Sequence, residues 1–343
     1  MLQANREPAT ELRTRTNARG PAAVPPRFGT PNDAPLKDAP ANATTDGSVK
    51  TRRYGTLRYR TLGCTSNPLV VVLGGISADR RVDRWWAALT GVDGALSPGR
   101  FRLLSMDWSL PDNDGQSGTV DEQADALAAL LDALGIVRVP TFVGASFGAM
   151  VGISFAARHP DRLDRLFAIS GAHRATPAAT AGRVIQRRIV ETLKRLGDPE
   201  LGVSLARGLA LTSYRPAELF DQRFFNADPD RVISRIGGYF EHIGTRFAEQ
   251  FAPDRYLTLS TALDRHCIDP GDIGCRTDLI GANSDTLVPV SQLRELTGAI
   301  GIRGRLHVLD SPFGHDAFLK SPELLGPLLE RLLAEQHREV VHG

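Results

Sequence analysis

Gly144-Ala145-Ser146-Phe147-Gly148 is the stretch on which the reading of this chain turns. Before it runs Val137-Arg138-Val139-Pro140-Thr141-Phe142-Val143, apolar and rich in β-branched residues, which predicts a buried strand. After it runs Ala149-Met150-Val151-Gly152-Ile153-Ser154-Phe155-Ala156-Ala157, which predicts a helix. A G-x-S-x-G between strand and helix is a sharp turn that lifts the serine hydroxyl above the edge of a sheet. The flanking glycines let strand and helix approach closely. A chain with 33 glycines can meet the pentapeptide by accident, so its surroundings and its downstream partners decide what it means.

Those surroundings alternate. Residues 53–61 predict an antiparallel edge strand, and 69–73 a buried strand running into Gly74-Gly75-Ile76. Residues 101–106 predict the next strand. Thr119-Val120-Asp121-Glu122 is a capping box, and it opens a helix with an apolar face of Val120, Leu127, Leu130, Leu131 and Leu134. The serine strand and helix follow, then a strand at 163–170. From about Pro177 to Arg255 several helices succeed one another with no strand between them. Strands resume at 277–282 and 305–309, and an amphipathic helix from Pro322 to about Gln336 closes the chain. This order predicts the α/β-hydrolase fold, a mostly parallel sheet with helices on both faces and a helical lid insertion. The expected division is a core of residues 49–176 and 256–343, a lid of 177–255, and a disordered tail of 1–48. That tail is rich in Ala, Pro, Thr, Asn and Arg and too poor in large apolar side chains to offset ordering entropy.

Composition narrows the class. The chain has 343 residues, 42% hydrophobic and 23% charged, with a net charge of +2. That suits a soluble enzyme with a large core and gives no reason to expect a nucleic-acid or membrane partner. No apolar run approaches the ~20 residues that span a bilayer. Cys64, Cys267 and Cys275 are odd in number and lack metal-type spacing, so they read as reduced thiols of a cytoplasmic protein with no metal site.

A serine hydroxyl becomes a nucleophile when a base takes its proton. In this fold the partners follow in the order serine, acid, histidine. Asp285 lies past the strand at 277–282, in Gly281-Ala282-Asn283-Ser284-Asp285-Thr286-Leu287-Val288-Pro289. His315 lies past the last strand, in Ser311-Pro312-Phe313-Gly314-His315-Asp316. Alone, Asp285 reads equally as a helix N-cap and His315 as a loop histidine. Together, at the sheet edge that carries Ser146, they predict a triad. The oxyanion donors are expected to be the backbone N–H of Phe147 and one from Gly75 or Ile76. Trp85-Trp86, just beyond, reads as core packing or as the wall of an acyl channel.

Further residues resemble the homoserine O-acyltransferases, the MetX-type enzymes of methionine biosynthesis. They are Ala206-Arg207, Thr212-Ser213-Tyr214-Arg215 and Phe220-Asp221-Gln222-Arg223-Phe224, then Gly238 to Phe247, and Phe251-Ala252-Pro253-Asp254-Arg255-Tyr256-Leu257-Thr258-Leu259. Ala262-Leu263-Asp264-Arg265-His266, Ser284-Asp285-Thr286-Leu287-Val288-Pro289 and Gly314-His315-Asp316-Ala317-Phe318-Leu319 complete the set. The resemblance covers roughly residues 65–335. It implies ping-pong transfer of an acetyl or succinyl group from acyl-CoA, as co-substrate with no bound cofactor, through Ser146 to the hydroxyl of L-homoserine. It also implies an acceptor held by Arg207, Tyr214 and Asp316, and a homodimer formed through the lid. Seven residues is close to two helical turns, so Arg207 and Tyr214 share a face if their segment is helical. Two departures concern the donor: Ala145 and Phe147 stand where the family more often has Asn and Met. A succinyl carboxylate would want a cation, for which Arg80 and Arg81 are candidates, although a solvated charge pair is the plainer reading. Serine as acceptor, an esterase, and a non-catalytic binding module remain as competing functions.

Overall fold

The computed structural model describes residues 44–110 and 118–342. The expected tail up to residue 43, and residues 111–117, lie outside the described residues. The tail boundary at 48 is corrected at its near end, because Thr44–Thr51 is a strand, β1. It forms a hairpin with β2, Gly55–Leu62, in antiparallel register from Thr44↔Leu62 to Thr51↔Gly55. The polar, mostly exposed β1 carries no apolar alternation, which is why sequence periodicity passed it over.

The strands β3 (Leu69–Leu73), β4 (Arg102–Met106), β5 (Val139–Ala145), β6 (Leu163–Ile169), β7 (Arg276–Ala282) and β8 (Gly304–Leu309) complete an eight-stranded sheet. Its order is β1-β2-β4-β3-β5-β6-β7-β8. The first two strands pair antiparallel, and every pair from β4 to β8 is parallel. Parallel strands are buried on both faces, and β3 shows it residue by residue. Val71 and Leu73 enter one core with Phe142, Phe147 and Phe155. Val70 and Val72 enter the other with Val143, Trp86 and Leu329.

The helices are α1 (Val82–Trp85), α2 (Ala87–Thr90), α3 (Val120–Ala133), α4 (Phe147–Arg158), α5 (Pro177–Arg195), α6 (Pro199–Tyr214), α7 (Ala217–Phe224), α8 (Pro229–Ala248), α9 (Pro253–Arg265), α10 (Val290–Ile300), α11 (Ala317–Lys320) and α12 (Pro322–His342). The capping box forms: Glu122 N donates to Thr119 Oγ1 at 3.1 Å, and Thr119 N donates to Glu122 Oε2 at 2.9 Å. Helices α5 to α9 follow β6 without an intervening strand. The helical run thus continues to Arg265, ten residues past the expected boundary at 255. It closes on itself through Asp264, which takes Arg183 and Arg187 of α5 at 2.6 Å each. Trp86 is core packing, its indole N–H donating to Phe318 O at 2.7 Å.

Candidate active site

Three loops at the C-terminal ends of β5, β7 and β8 build the site. Ser146 is the single residue between β5 and α4, at φ 54° and ψ −114°. Such backbone costs on the order of 1–3 kcal/mol and persists where neighbours over-determine it. They do: Ser146 N donates to Ile169 O, and Gly148 N donates to Gly74 O, both at 2.8 Å. A Cβ on Gly148 would stand 2.3 Å from Leu73 O, and one on Gly144 would stand 2.3 Å from Gly148 O. The two glycines of the motif are therefore fixed by contact.

Ser146 Oγ lies 2.8 Å from His315 Nε2. His315 Nδ1 lies 2.8 Å from Asp285 Oδ2. Asp285 is aimed by its other oxygen, which accepts from Leu287 N at 2.9 Å and Val288 N at 3.1 Å. It caps this turn rather than the following helix, for α10 begins only at Val290 and has no side-chain cap. Ser284 joins the acid loop to the histidine loop, donating to Ser311 O and accepting from Gly314 N. Gly314 is at φ 58°, and a Cβ there would meet Tyr214 O at 2.4 Å. The glycine before His315 is thus what lets the end of α6 close over the histidine. Burial alone would push the His315 imidazole down. The adjoining Asp285 carboxylate outweighs it, and the net direction is up.

The oxyanion candidates converge beside Ser146. Phe147 is the first residue of α4, so its N–H has no partner within the helix. A Cβ built on Gly75 would stand 4.0 Å from that of Ser146. Gly75 O accepts from Ala78 N at 2.9 Å and from Trp108 Nε1 at 3.3 Å. In a trans peptide the Ile76 N–H points the opposite way from that carbonyl. Trp108 also sets its ring edge-on to Phe147, centroids 4.8 Å apart. Its part in the site was not legible in the sequence.

Next to His315 is a cavity lined by Ile76, Arg207, Tyr214, Phe247, Phe251 and Tyr256, among others. Tyr214 joins the two, its ring 5.4 Å from that of His315. Arg207 and Tyr214 do share a face of α6, the guanidinium lying 5.5 Å from the tyrosine ring centroid. Among the described residues Arg207 makes no ion pair, and its Nε is buried without a hydrogen-bond partner. An unpaired buried donor is costly, and an incoming anion would relieve it.

Asp316 is brought beside His315 but is already ion-paired. Arg215 Nε holds its Oδ2 at 2.8 Å, and Arg215 also donates to the Tyr239 hydroxyl. Arg80 and Arg81 are paired too. Arg80 holds Asp46 and Asp107 at 2.9 Å each, and Arg81 holds Asp79. Both fit the plainer reading of a charge pair. Among the described residues no group of three or more His, Cys, Asp or Glu side chains is placed to hold a metal ion. No described helix is long and apolar enough to cross a membrane.

Sheet, serine turn and hydrogen-bonded Ser-His-Asp chain together define an α/β hydrolase, and residues 68–322 match the alpha/beta hydrolase fold family. The chain is 42% identical over 291 residues to the homoserine O-succinyltransferase of Xanthomonas campestris pv. campestris, covering 81% of this chain and 78% of that protein. It is 28% identical over 349 residues to the L-serine/homoserine O-acetyltransferase of Streptomyces lavendulae, covering 84% and 93%. Among solved structures, a homoserine O-acetyltransferase from Staphylococcus aureus superposes with a TM-score of 0.67 at 25% identity, covering 84% and 94%. The chain belongs to the MetX-type homoserine O-acyltransferase family within that superfamily.

Proposed function

We propose that this chain transfers an acyl group from acyl-CoA to the side-chain hydroxyl of L-homoserine by a ping-pong route through Ser146. Succinyl is the favoured donor group and acetyl the other, because the 42% identical relative is a homoserine O-succinyltransferase. In the first half, Ser146 Oγ attacks the thioester carbonyl and its proton passes to His315 Nε2. The N–H groups of Phe147 and of Gly75 or Ile76 take the oxyanion. Collapse expels CoA, whose sulfur receives the proton from His315. In the second half, the homoserine hydroxyl gives its proton to His315 and attacks the acyl-serine ester. Collapse then returns a proton to Ser146 and releases O-acylhomoserine. Asp285 holds the imidazole in the required tautomer and stabilises its cation.

The observation that carries the acceptor reading is Arg207, a guanidinium with no carboxylate partner among the described residues, beside Tyr214 in the cavity that adjoins His315. An esterase acting with water has no use for it. An amino acid brings a carboxylate for Arg207 and an ammonium for Asp316. The Asp316 carboxylate has two oxygens, so it can receive an ammonium while Arg215 keeps Oδ2. Serine as acceptor is the second reading, favoured by the relative named for both amino acids. It is one methylene shorter, worth only about 1–3 kcal/mol of discrimination. The test is CoA release from acetyl-CoA and succinyl-CoA, each against homoserine, serine and no acceptor. Homoserine-dependent release is expected. Equal release without an acceptor would make the chain a hydrolase.

The remaining parts of the reading are a reducing, cytoplasmic setting and a homodimer through the helices between β6 and β7. Cys64, Cys267 and Cys275 as free thiols support the first. Exposed Leu201, Leu205, Phe225 and Ile233 on those helices and their loops support the second.

A further inference from the structure

Most arginines around the cavity are matched to carboxylates: Arg80 to Asp46 and Asp107, Arg81 to Asp79, Arg183 and Arg187 to Asp264, and Arg215 to Asp316. Arg207 is not, and neither is Arg255. Arg255 stands in the first turn of α9, between the cavity-lining Phe251 and Tyr256. It is half-buried, and among the described residues its guanidinium makes no hydrogen bond or ion pair. It lies over the Phe251 ring, 5.3 Å from the centroid. It also feels the charges of Asp107 and of Asp79, the latter four residues after Gly75. Those two carboxylates are already tied to Arg80 and Arg81. Arg255 therefore stands against Phe251, which lines the cavity together with Ile76, and among the described residues its guanidinium has no carboxylate partner. Burial pushes its guanidinium down from the ordinary value, the direction expected of a desolvated cation lacking a close anion.

Its relation to Arg207 is ordered. Arg207 lies over Phe247, 4.9 Å from the centroid, and the Phe247 and Phe251 rings meet at a tilt of 31° with centroids 4.9 Å apart. The two guanidiniums without a carboxylate partner thus lie over the two rings of one aromatic pair that lines the cavity. A single cation suffices for an amino-acid acceptor and an acetyl donor. Two separated cations suit a reaction in which acceptor and acyl group each carry a carboxylate, held apart so that they do not repel.

We propose that Arg255 is the donor-selecting residue, binding the terminal carboxylate of a dicarboxylic acyl group such as succinyl while Arg207 binds the acceptor. The inference rests on the acyl-transfer reading above. The same guanidinium chemistry could serve a phosphate of CoA, but acetyl-CoA and succinyl-CoA carry identical phosphates, so their comparison separates the two sources.

The experiment uses the full chain and its Arg255→Gln and Arg255→Lys variants. It measures kcat/KM for succinyl-CoA and acetyl-CoA with saturating homoserine, and acylation of Ser146 by intact mass without acceptor. One charge-assisted hydrogen-bonded contact corresponds to about 10–100-fold. Arg255→Gln is expected to lower the succinyl-to-acetyl efficiency ratio by that factor, in acylation as in turnover, and Arg255→Lys to restore part of it. An unchanged ratio overturns the proposal, whether both donors suffer together, as a phosphate contact or a folding defect would produce, or neither does. A wild-type chain that takes acetyl but not succinyl also overturns it and leaves the acyltransferase reading standing. A wild-type chain that labels Ser146 with neither donor removes that reading itself.

Discussion

Ser146 carries the acyl group in the proposed route, so Ser146→Ala is expected to lower turnover by about 10⁶-fold, and His315→Ala by a similar factor, because these groups act as a unit. Asp285→Asn is expected to cost about 10⁴-fold, since it spoils the imidazole tautomer while keeping shape. Circular dichroism should show folded protein in each case, and intact mass should show no acyl-enzyme for Ser146→Ala. His315 must be neutral to accept a proton. Its pKa is raised by Asp285, so the acidic limb of kcat/KM should lie above the ordinary histidine value near 6.5. Rate against pH reads it, and a limb below 6.5 would separate the limb from this imidazole. Arg207→Ala is expected to raise the homoserine KM by about 10–100-fold while acylation by acyl-CoA survives. Rapid-quench mass spectrometry separates the halves, and equal loss of both would make Arg207 an organiser of its helix.

At the scale of elements, the parallel sheet holds a buried charge cluster that its function does not explain. Asp278 of β7 is fully buried and faces Arg165 of β6 at 2.8 Å and both Arg305 and His307 of β8 at 2.9 Å. Burial pushes the Asp278 carboxyl up, but these partners more than reverse it, and the group is held down to about 2. The unfolded chain would protonate it near ~4. Its contribution to stability is therefore full above that value and is lost as pH falls toward about 2. Asp278→Asn leaves Arg165 buried without its close ionic partner, with only Glu335 at 4.0 Å remaining. It should cost about 3–5 kcal/mol, read as a lower urea midpoint at neutral pH. It should also flatten the acid dependence between pH 4 and 2. A variant as stable as the parent would mean that Glu335, 4.0 Å from Arg165, takes over the pairing beside Leu332 O, which Arg165 already holds at 3.0 Å.

At the scale of the whole molecule, the site is made where the sheet core and the helical insertion meet. Asp316 belongs to the core and Arg215 to the end of the insertion helix that carries Arg207 and Tyr214. In the proposed acceptor site, Asp316→Asn should slow transfer to homoserine more than acylation of Ser146, because the carboxylate proposed to receive the acceptor's ammonium is gone. The deficit should shrink for a neutral alcohol acceptor. Equal slowing of both halves would make Asp316 a support of the histidine loop. In that event its bond to Arg215 is what matters.

The local text determined much of this protein by itself. Gly144 to Gly148 between an apolar strand and an apolar helix fixed the serine turn, because such a turn needs missing Cβ atoms at two places in the chain. The Thr119–Glu122 box and the alternation of strands and helices located most of the sheet, since burial on both faces writes a continuous apolar run. Asp285 and His315 were legible from their positions just after strands, and Arg207 and Tyr214 from a family resemblance. The tertiary structure decided the pairings. Nothing near Arg80 or Arg215 in sequence says which carboxylate each will meet, for Asp107 and Asp316 are brought to them by strand order and by the packing of the insertion against the core. The polar β1 escaped notice because its hydrogen bonds to β2, rather than any apolar pattern, make it a strand. Trp108 acquires meaning only once the fold sets it against Gly75 and Phe147, and Arg255 once it lies over the cavity-lining Phe251. A side chain's chemistry is set by its atoms, whereas its charge balance is set by neighbours that the chain supplies from far away.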